Sequence, residues 1–138
     1  MFWAAAGGVN AWNSAVHEGP DYAAGGGIDI SVTDLPGLTV GYTTGTCGTY
    51  AWSGTVHVYY DGSYFAAAWF IGNPEVTVEI AAHEFGHTLG LDENGTGAIA
   101  PQNCPSIALM HGHTDVWNVC QFYWPKSVDI GYVNSRYK

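Results

Sequence analysis

The chain is poor in charge and poorest in positive charge: three Lys and Arg stand against 12 Asp and Glu, giving a formal net charge of −9. Nucleic acid and anionic membrane surfaces bind through basic patches, so this balance excludes them as partners, whereas basic or neutral polypeptides remain allowed. No apolar run reaches about 18 residues, and no membrane-spanning helix is expected. Phe2–Val16 is apolar but lacks a basic segment before it, so it does not read as a signal peptide. If the protein is exported, its leader and any propeptide are expected to be absent from this chain. Cysteine is scarce too: the three present include no CxxC pair, which argues against a cysteine-held zinc site. No repeat or long linker interrupts the 138 residues, and 47% hydrophobic content suits a single domain, 1–138, with one core.

What is abundant is glycine, with 19 residues, and aromatic side chains, at 14%. Together with the low charge they describe a loop-rich domain of extracellular character. Phe2, Ala5, Val9, Trp12 and Val16 recur at helical spacing and predict an amphipathic helix whose tryptophans face the core. Gly7-Gly8 inside it costs about 2 kcal/mol relative to alanines, so packing must hold that helix. Ile28–Thr33 and Leu38–Tyr42 alternate apolar with polar residues and predict half-buried strands, separated by Pro36-Gly37. Val56, Val58 and Tyr60 alternate with Thr55, His57 and Tyr59 as a third strand, on which His57 reads as a surface or satisfied histidine. Asp61-Gly62 reads as a turn into Ser63–Phe70, a candidate final strand. After Asn73-Pro74 a helix is expected over residues 75 to 90, with Val76, Ile80 and Leu91 facing the sheet. Beyond Glu93 the chain reads as irregular until a short closing helix near Ser127–Tyr137. That order of elements predicts an α+β fold.

The most informative stretch is His83-Glu84-Phe85-Gly86-His87-Thr88-Leu89-Gly90-Leu91-Asp92-Glu93. On a helix, His83 and His87 lie on one face a turn apart and can close on one zinc ion at about 2.0–2.1 Å per Zn–N bond. Glu84 follows the first histidine, where a carboxylate reaches a metal-bound water as general base. Gly90 lets the backbone leave the helix, so a third ligand can come from just beyond it. Glu93 stands there; Asp92 is its nearest competitor, and His111 and His113 are more remote candidates. Five residues of this pattern also occur in ordinary helices with two partly exposed histidines. The extension through Gly90 to a carboxylate, with Met110 in a compact Ser106–Gly112 segment downstream, narrows the reading.

These motifs resemble those of the metzincin zinc metalloproteases, and within them the snapalysin-type small secreted neutral proteases, which carry a carboxylate at the eleventh motif position. Ala11-Trp12-Asn13-Ser14-Ala15-Val16 resembles a stretch of that family's first helix, and Cys104 and Cys120 resemble its cysteine pair flanking the Met-turn. The resemblance implies a metzincin-like zincin domain: a twisted mixed sheet with an N-terminal helix and an active-site helix, then an irregular C-terminal half with a Met-turn. It implies a secreted, monomeric enzyme with zinc as cofactor, room for a structural calcium ion, and aromatic or large apolar substrate residues just after the cut. Three departures stand out. Glu93 replaces the family's Asp or His, Gly112 leaves out a tyrosine found after the Met-turn in several metzincins, and the family's opening strand has no counterpart before Phe2.

A Cys104–Cys120 bridge is implied by the same resemblance. It would enclose fifteen residues around Met110, stabilise by about 3 kcal/mol, and leave Cys47 unpaired; three reduced buried thiols in a cytosolic protein are the alternative. The implied activity is zinc-dependent endopeptidase hydrolysis of a polypeptide. His83, His87 and Glu93 hold the ion, Glu84 moves the proton, and Met110 forms an apolar floor, hard to distinguish from plain core filling. His111 or His113 could assist at the oxyanion, or be surface histidines. An extended substrate is expected along the strand edge preceding the active-site helix, with Ser63–Phe70 favoured for that edge. The competing reading is a degenerate zinc-binding domain that acts as a protein-binding module. Glu84 argues against it, because holding zinc alone does not require a carboxylate at that position.

Overall fold

A computed structural model of the chain describes residues 2–16, 27–48, 52–112 and 115–136. Phe2–Asn13 forms helix α1. Its buried stripe runs through Ala4, Gly8 and Trp12, with Val16 just past its end; Trp12 and Val16 are as predicted, and Ala4 and Gly8 take the places expected for Ala5 and Val9. The reason is close packing: a Cβ at Gly8 would meet the main chain of Ala81 and Ala82 at 2.6–2.7 Å, so α1 lies directly on a second helix at that point. Trp12 is fully buried and its Nε1–H donates to Ala82 O at 2.7 Å. Trp3, contrary to expectation, is 62% exposed because it lies off that stripe.

Three strands form one mixed sheet: β1 Ile28–Thr33, β2 Gly41–Cys47 and β3 Trp52–Asp61, in the order β1-β3-β2. β1 runs parallel to β3, with Ile30 opposite Val58, and β2 runs antiparallel to β3, with Thr43 opposite Val58. β3 buries Val56, Val58 and Tyr60 as its period-two pattern predicts, whereas Ile30 and Val32 on edge strand β1 are largely exposed. The second strand begins later than the sequence reading had it. Pro36-Gly37-Leu38 is a turn, with Leu38 fully in solvent, and the strand that follows is threonine-rich rather than alternating. His57 is a surface histidine whose Nδ1 lies 3.2 Å from Asp29 Oδ2.

Ser63–Phe70 is not a strand. Asp61, at the end of β3, accepts from the backbone N–H groups of Ser63 and Tyr64 and so caps a short helix, α2 Gly62–Ala66, followed by α3 Ala68–Gly72. What read as a turn before a strand is a helix N-cap. Pro74 then opens α4, Pro74–Thr88, with the proline in the first turn where its missing N–H costs nothing.

α4 is buried continuously from Val76 to Gly86. One side packs with Ala4, Val58, Tyr60 and Phe70; the other joins Trp12, Leu109, Met110, Val116, Phe122 and Val133. Val76 and Ile80 are in the core as expected, while Leu91 is only partly buried and packs with the second group. The C-terminal third is more ordered than its sequence suggests: a 3₁₀ turn at Pro101–Ser106 and helix α5, Asp115–Cys120, precede α6, Ser127–Arg136. The fold is α+β. Among the described residues no helix is long and apolar enough to cross a membrane.

Cys104 and Cys120 lie at bonding distance, S–S 2.00 Å, tying the 3₁₀ turn to α5. Non-reducing peptide mapping is therefore expected to recover that linked pair without Cys47. The Cys104→Ser/Cys120→Ser double variant should lose about 3 kcal/mol of stability in denaturant unfolding.

Candidate metal centre

Helix geometry brings His83 and His87 together on α4, their ring centroids 4.9 Å apart and nearly perpendicular. Each ring is fixed from behind. His83 Nδ1 lies 3.0 Å from Leu109 O and His87 Nδ1 lies 2.8 Å from Leu91 O. A carbonyl can only accept, so both Nδ1 atoms carry a proton and both Nε2 atoms are the ring nitrogens left to face a ligand.

Both Nε2 atoms face Glu93. Its Oε1 lies 3.4 Å from His83 Nε2 and 3.5 Å from His87 Nε2, and the three ligand atoms all lie within 4.8 Å of one another. Ligands about 2.0–2.1 Å from a tetrahedral ion stand about 3.4 Å from each other, so the two Glu93–histidine spacings match those of a metal site. Asp92 is exposed and does not join the group.

The chain reaches Glu93 by a defined exit from α4. Gly90 takes φ +79° and donates to His87 O, and Leu91 N–H donates to Gly86 O, an arrangement that closes the last turn and reverses the chain. The loop is then clamped immediately after Glu93. Asn94 N–H donates to Met110 O at 2.6 Å, and Gly112 N–H donates to Gly95 O at 2.8 Å. Gly112 is itself required, since a Cβ there would collide with the Glu93 carboxylate. Met110 is buried and packs against Gly86 of α4.

Electrostatics draw positive charge to the same point. Burial would raise the Glu93 carboxyl, but hydrogen bonding to His83 and His87 outweighs it and holds the group at about 2. Burial would lower His83, yet Glu93 and Glu84 push it up to about 9.

Glu84 is 6% exposed, and burial raises its carboxyl against the pull of His83. The Thr43 hydroxyl donates to Glu84 Oε2 at 2.6 Å, and a Cβ at Gly41 would stand 2.6 Å from Oε1. β2 therefore lies directly against the carboxylate. Glu84 shares a cavity of about 310 Å³ with Leu38, Val40, Gly41, Glu79, His83 and Glu93, and His111 and Gly112 also line it. His113 lies outside the described residues, as does the side chain of Cys47.

Four supporting residues were not read from the sequence. Thr43 and Trp52, whose Nε1–H donates to His87 O at 2.7 Å, depend on strand placement that no local pattern reveals. Glu79 stands four residues before His83 on a helix face and was legible from that spacing; burial pushes its carboxyl up to about 8, with His83 opposing and Glu84 adding to the rise. Asp129 is fully buried at the start of α6. Its carboxylate accepts from Lys126 N, Leu109 N and Met110 N, and so fixes the turn whose carbonyl orients His83.

No protein-family model matches the chain, and no curated protein matches it.

Two outcomes are expected from competitive chelator titration. Glu93→Ala should weaken zinc binding by orders of magnitude while Asp92→Ala leaves it near the parent value. Asp129→Ala, which removes a support behind His83, should weaken it about 10- to 100-fold.

Proposed function

We propose that the protein is a zinc-dependent endopeptidase of metzincin type, resembling the snapalysin-type secreted neutral proteases. The observation that carries this reading is the convergence of two Nε2 atoms and one Glu93 oxygen at a point bordered by the buried Glu84 carboxylate. Two imidazoles and a carboxylate from the protein are a donor set of catalytic zinc sites. A bound ion there supplies Lewis acidity, polarising the scissile carbonyl and acidifying a water molecule.

The chain's own groups do the rest. His83 and His87 turn their Nε2 atoms to one point because Leu109 and Leu91 hold their Nδ1 protons, and any proton on Nε2 would give way to a bound ion. Glu93 brings negative charge to the same point. Glu84 takes the proton of the attacking water and delivers it to the leaving amine. Burial makes its carboxylate a stronger base than an exposed one, and Thr43 holds one of its oxygens in place.

The substrate is a polypeptide lying extended along β2. That strand ends the sheet, runs antiparallel to β3 and passes over Glu84 at Gly41 and Thr43, so main-chain pairing with its edge would carry a peptide across the site. It takes the place expected for Ser63–Phe70, which is helical. The Cys104–Cys120 bond accords with secretion.

Glu84→Gln tests the reading. It should keep about one zinc per chain and lose roughly 10²–10⁴-fold in peptide hydrolysis, because the base goes while the ligands stay. Near-parent turnover in the zinc-loaded variant would contradict it and leave the degenerate, protein-binding reading or another mechanism.

A further inference from the structure

We propose that the cleft selects polypeptides by a basic side chain, with the ammonium or guanidinium group seated on Glu79. This rests on the peptidase reading and adds a substrate preference to it. Glu79 lies one turn before His83 on α4, about 6 Å along the helix axis. It is 2% exposed yet lines the same cavity of about 310 Å³ that holds His83, Glu84 and Glu93. Its Oε2 is buried and has no hydrogen-bond partner among the described residues. A buried carboxyl oxygen without a hydrogen-bond partner is destabilising, and it persists where a ligand completes it.

The chain's own cations are engaged elsewhere. Lys126 Nζ donates to Cys104 O and sits over the Phe122 ring, and Arg136 donates to Gly90 O; Lys138, the third, lies outside the described residues. Ion pairs among the described residues join His57 to Asp29 and Glu93 to His83 and His87, and Glu79 takes part in none.

The lining of this cavity suits the stem of such a side chain. Val40 and Ile80 share it with Glu79, together with the largely exposed Leu38, so an apolar passage and a carboxyl group stand in one space. An extended lysine reaches about 6 Å from Cα to Nζ, so a residue whose main chain lies at the metal donors sets its charge beside Glu79, one helical turn away. An aromatic or aliphatic side chain would fill the passage but leave Oε2 unpaired, and is selected against for that reason. This departs from the apolar preference that the family resemblance implies. The net charge of −9 favours approach of the same substrates.

The test combines cleavage mapping with a binding measurement that needs no turnover. The zinc-loaded protein digests a complex peptide mixture, and the cut sites are read by mass spectrometry. Lys and Arg should be enriched about tenfold or more at one fixed position beside the scissile bond, and Glu79→Gln should remove most of that enrichment. In parallel, N-acetyl-lysinamide and N-acetyl-norleucinamide are titrated into the parent protein and into Glu79→Gln and Glu79→Leu, followed by NMR. The lysine amide should bind the parent more tightly, and both variants should abolish the difference. Glu79→Leu should also raise the thermal midpoint, where a carboxylate with a structural role would give a fall. Glu79-dependent binding of the lysine amide without hydrolysis of any polypeptide would uphold the basic seat and overturn the peptidase reading. Hydrolysis with no basic enrichment and equal binding of the two amides would overturn the seat and leave the peptidase reading intact.

Discussion

One buried helix has to carry two imidazoles and two carboxylates through the middle of the molecule, and the remaining elements answer to that requirement. α4 is enclosed from Val76 to Gly86, so Glu79, His83 and Glu84 are withdrawn from water along with its apolar residues. Ionisable groups in such a place must be paired, hydrogen-bonded or completed by a ligand. His83 and His87 have carbonyls behind their Nδ1 atoms and Glu93 before their Nε2 atoms, and Glu84 has Thr43. Glu79 alone of the four buried or half-buried groups on this helix keeps an unpaired oxygen among the described residues.

The supports come from distant parts of the chain and meet through backbone rather than through side-chain contacts alone. The loop 91–95 and the turn 109–112 exchange main-chain hydrogen bonds immediately after Glu93, and Asp129 at the start of α6 accepts from the backbone of that turn. The disulfide fixes the segment on which that turn is carried. Seating of this kind holds the three candidate donors together in the protein alone, which would lessen the conformational freedom lost on binding an ion.

Much of this was legible in the sequence, and what was missed follows a physical rule. His83, Glu84, His87, Gly90 and Glu93 are linked by helix periodicity and a glycine turn, which are local and therefore readable. β1, β3, α4 and α6 were likewise marked by period or by Asn73-Pro74. The errors came where a local signal had two meanings or none. Asp61-Gly62 serves a turn and an N-cap equally well, and only the backbone N–H groups of Ser63 and Tyr64 decide for the helix. The threonine-rich β2 has little apolar alternation, because its partners are β3 and the Glu84 carboxylate. α5 is a short helix in a third of the chain whose order depends on long-range ties at Cys104, Cys120 and Asp129. Thr43, Trp52 and Asp129 act at the site across 20 to 41 residues of sequence, a separation that no pattern in a single chain encodes.

The central claim is that His83, His87 and Glu93 hold a zinc ion that peptide hydrolysis requires. Metal analysis and casein digestion on one preparation address it together. The account predicts about one zinc per chain, loss of both zinc and casein hydrolysis on chelation, and recovery of hydrolysis when zinc is returned. A protein that binds no zinc, or one whose casein hydrolysis survives complete removal of the metal, would contradict it.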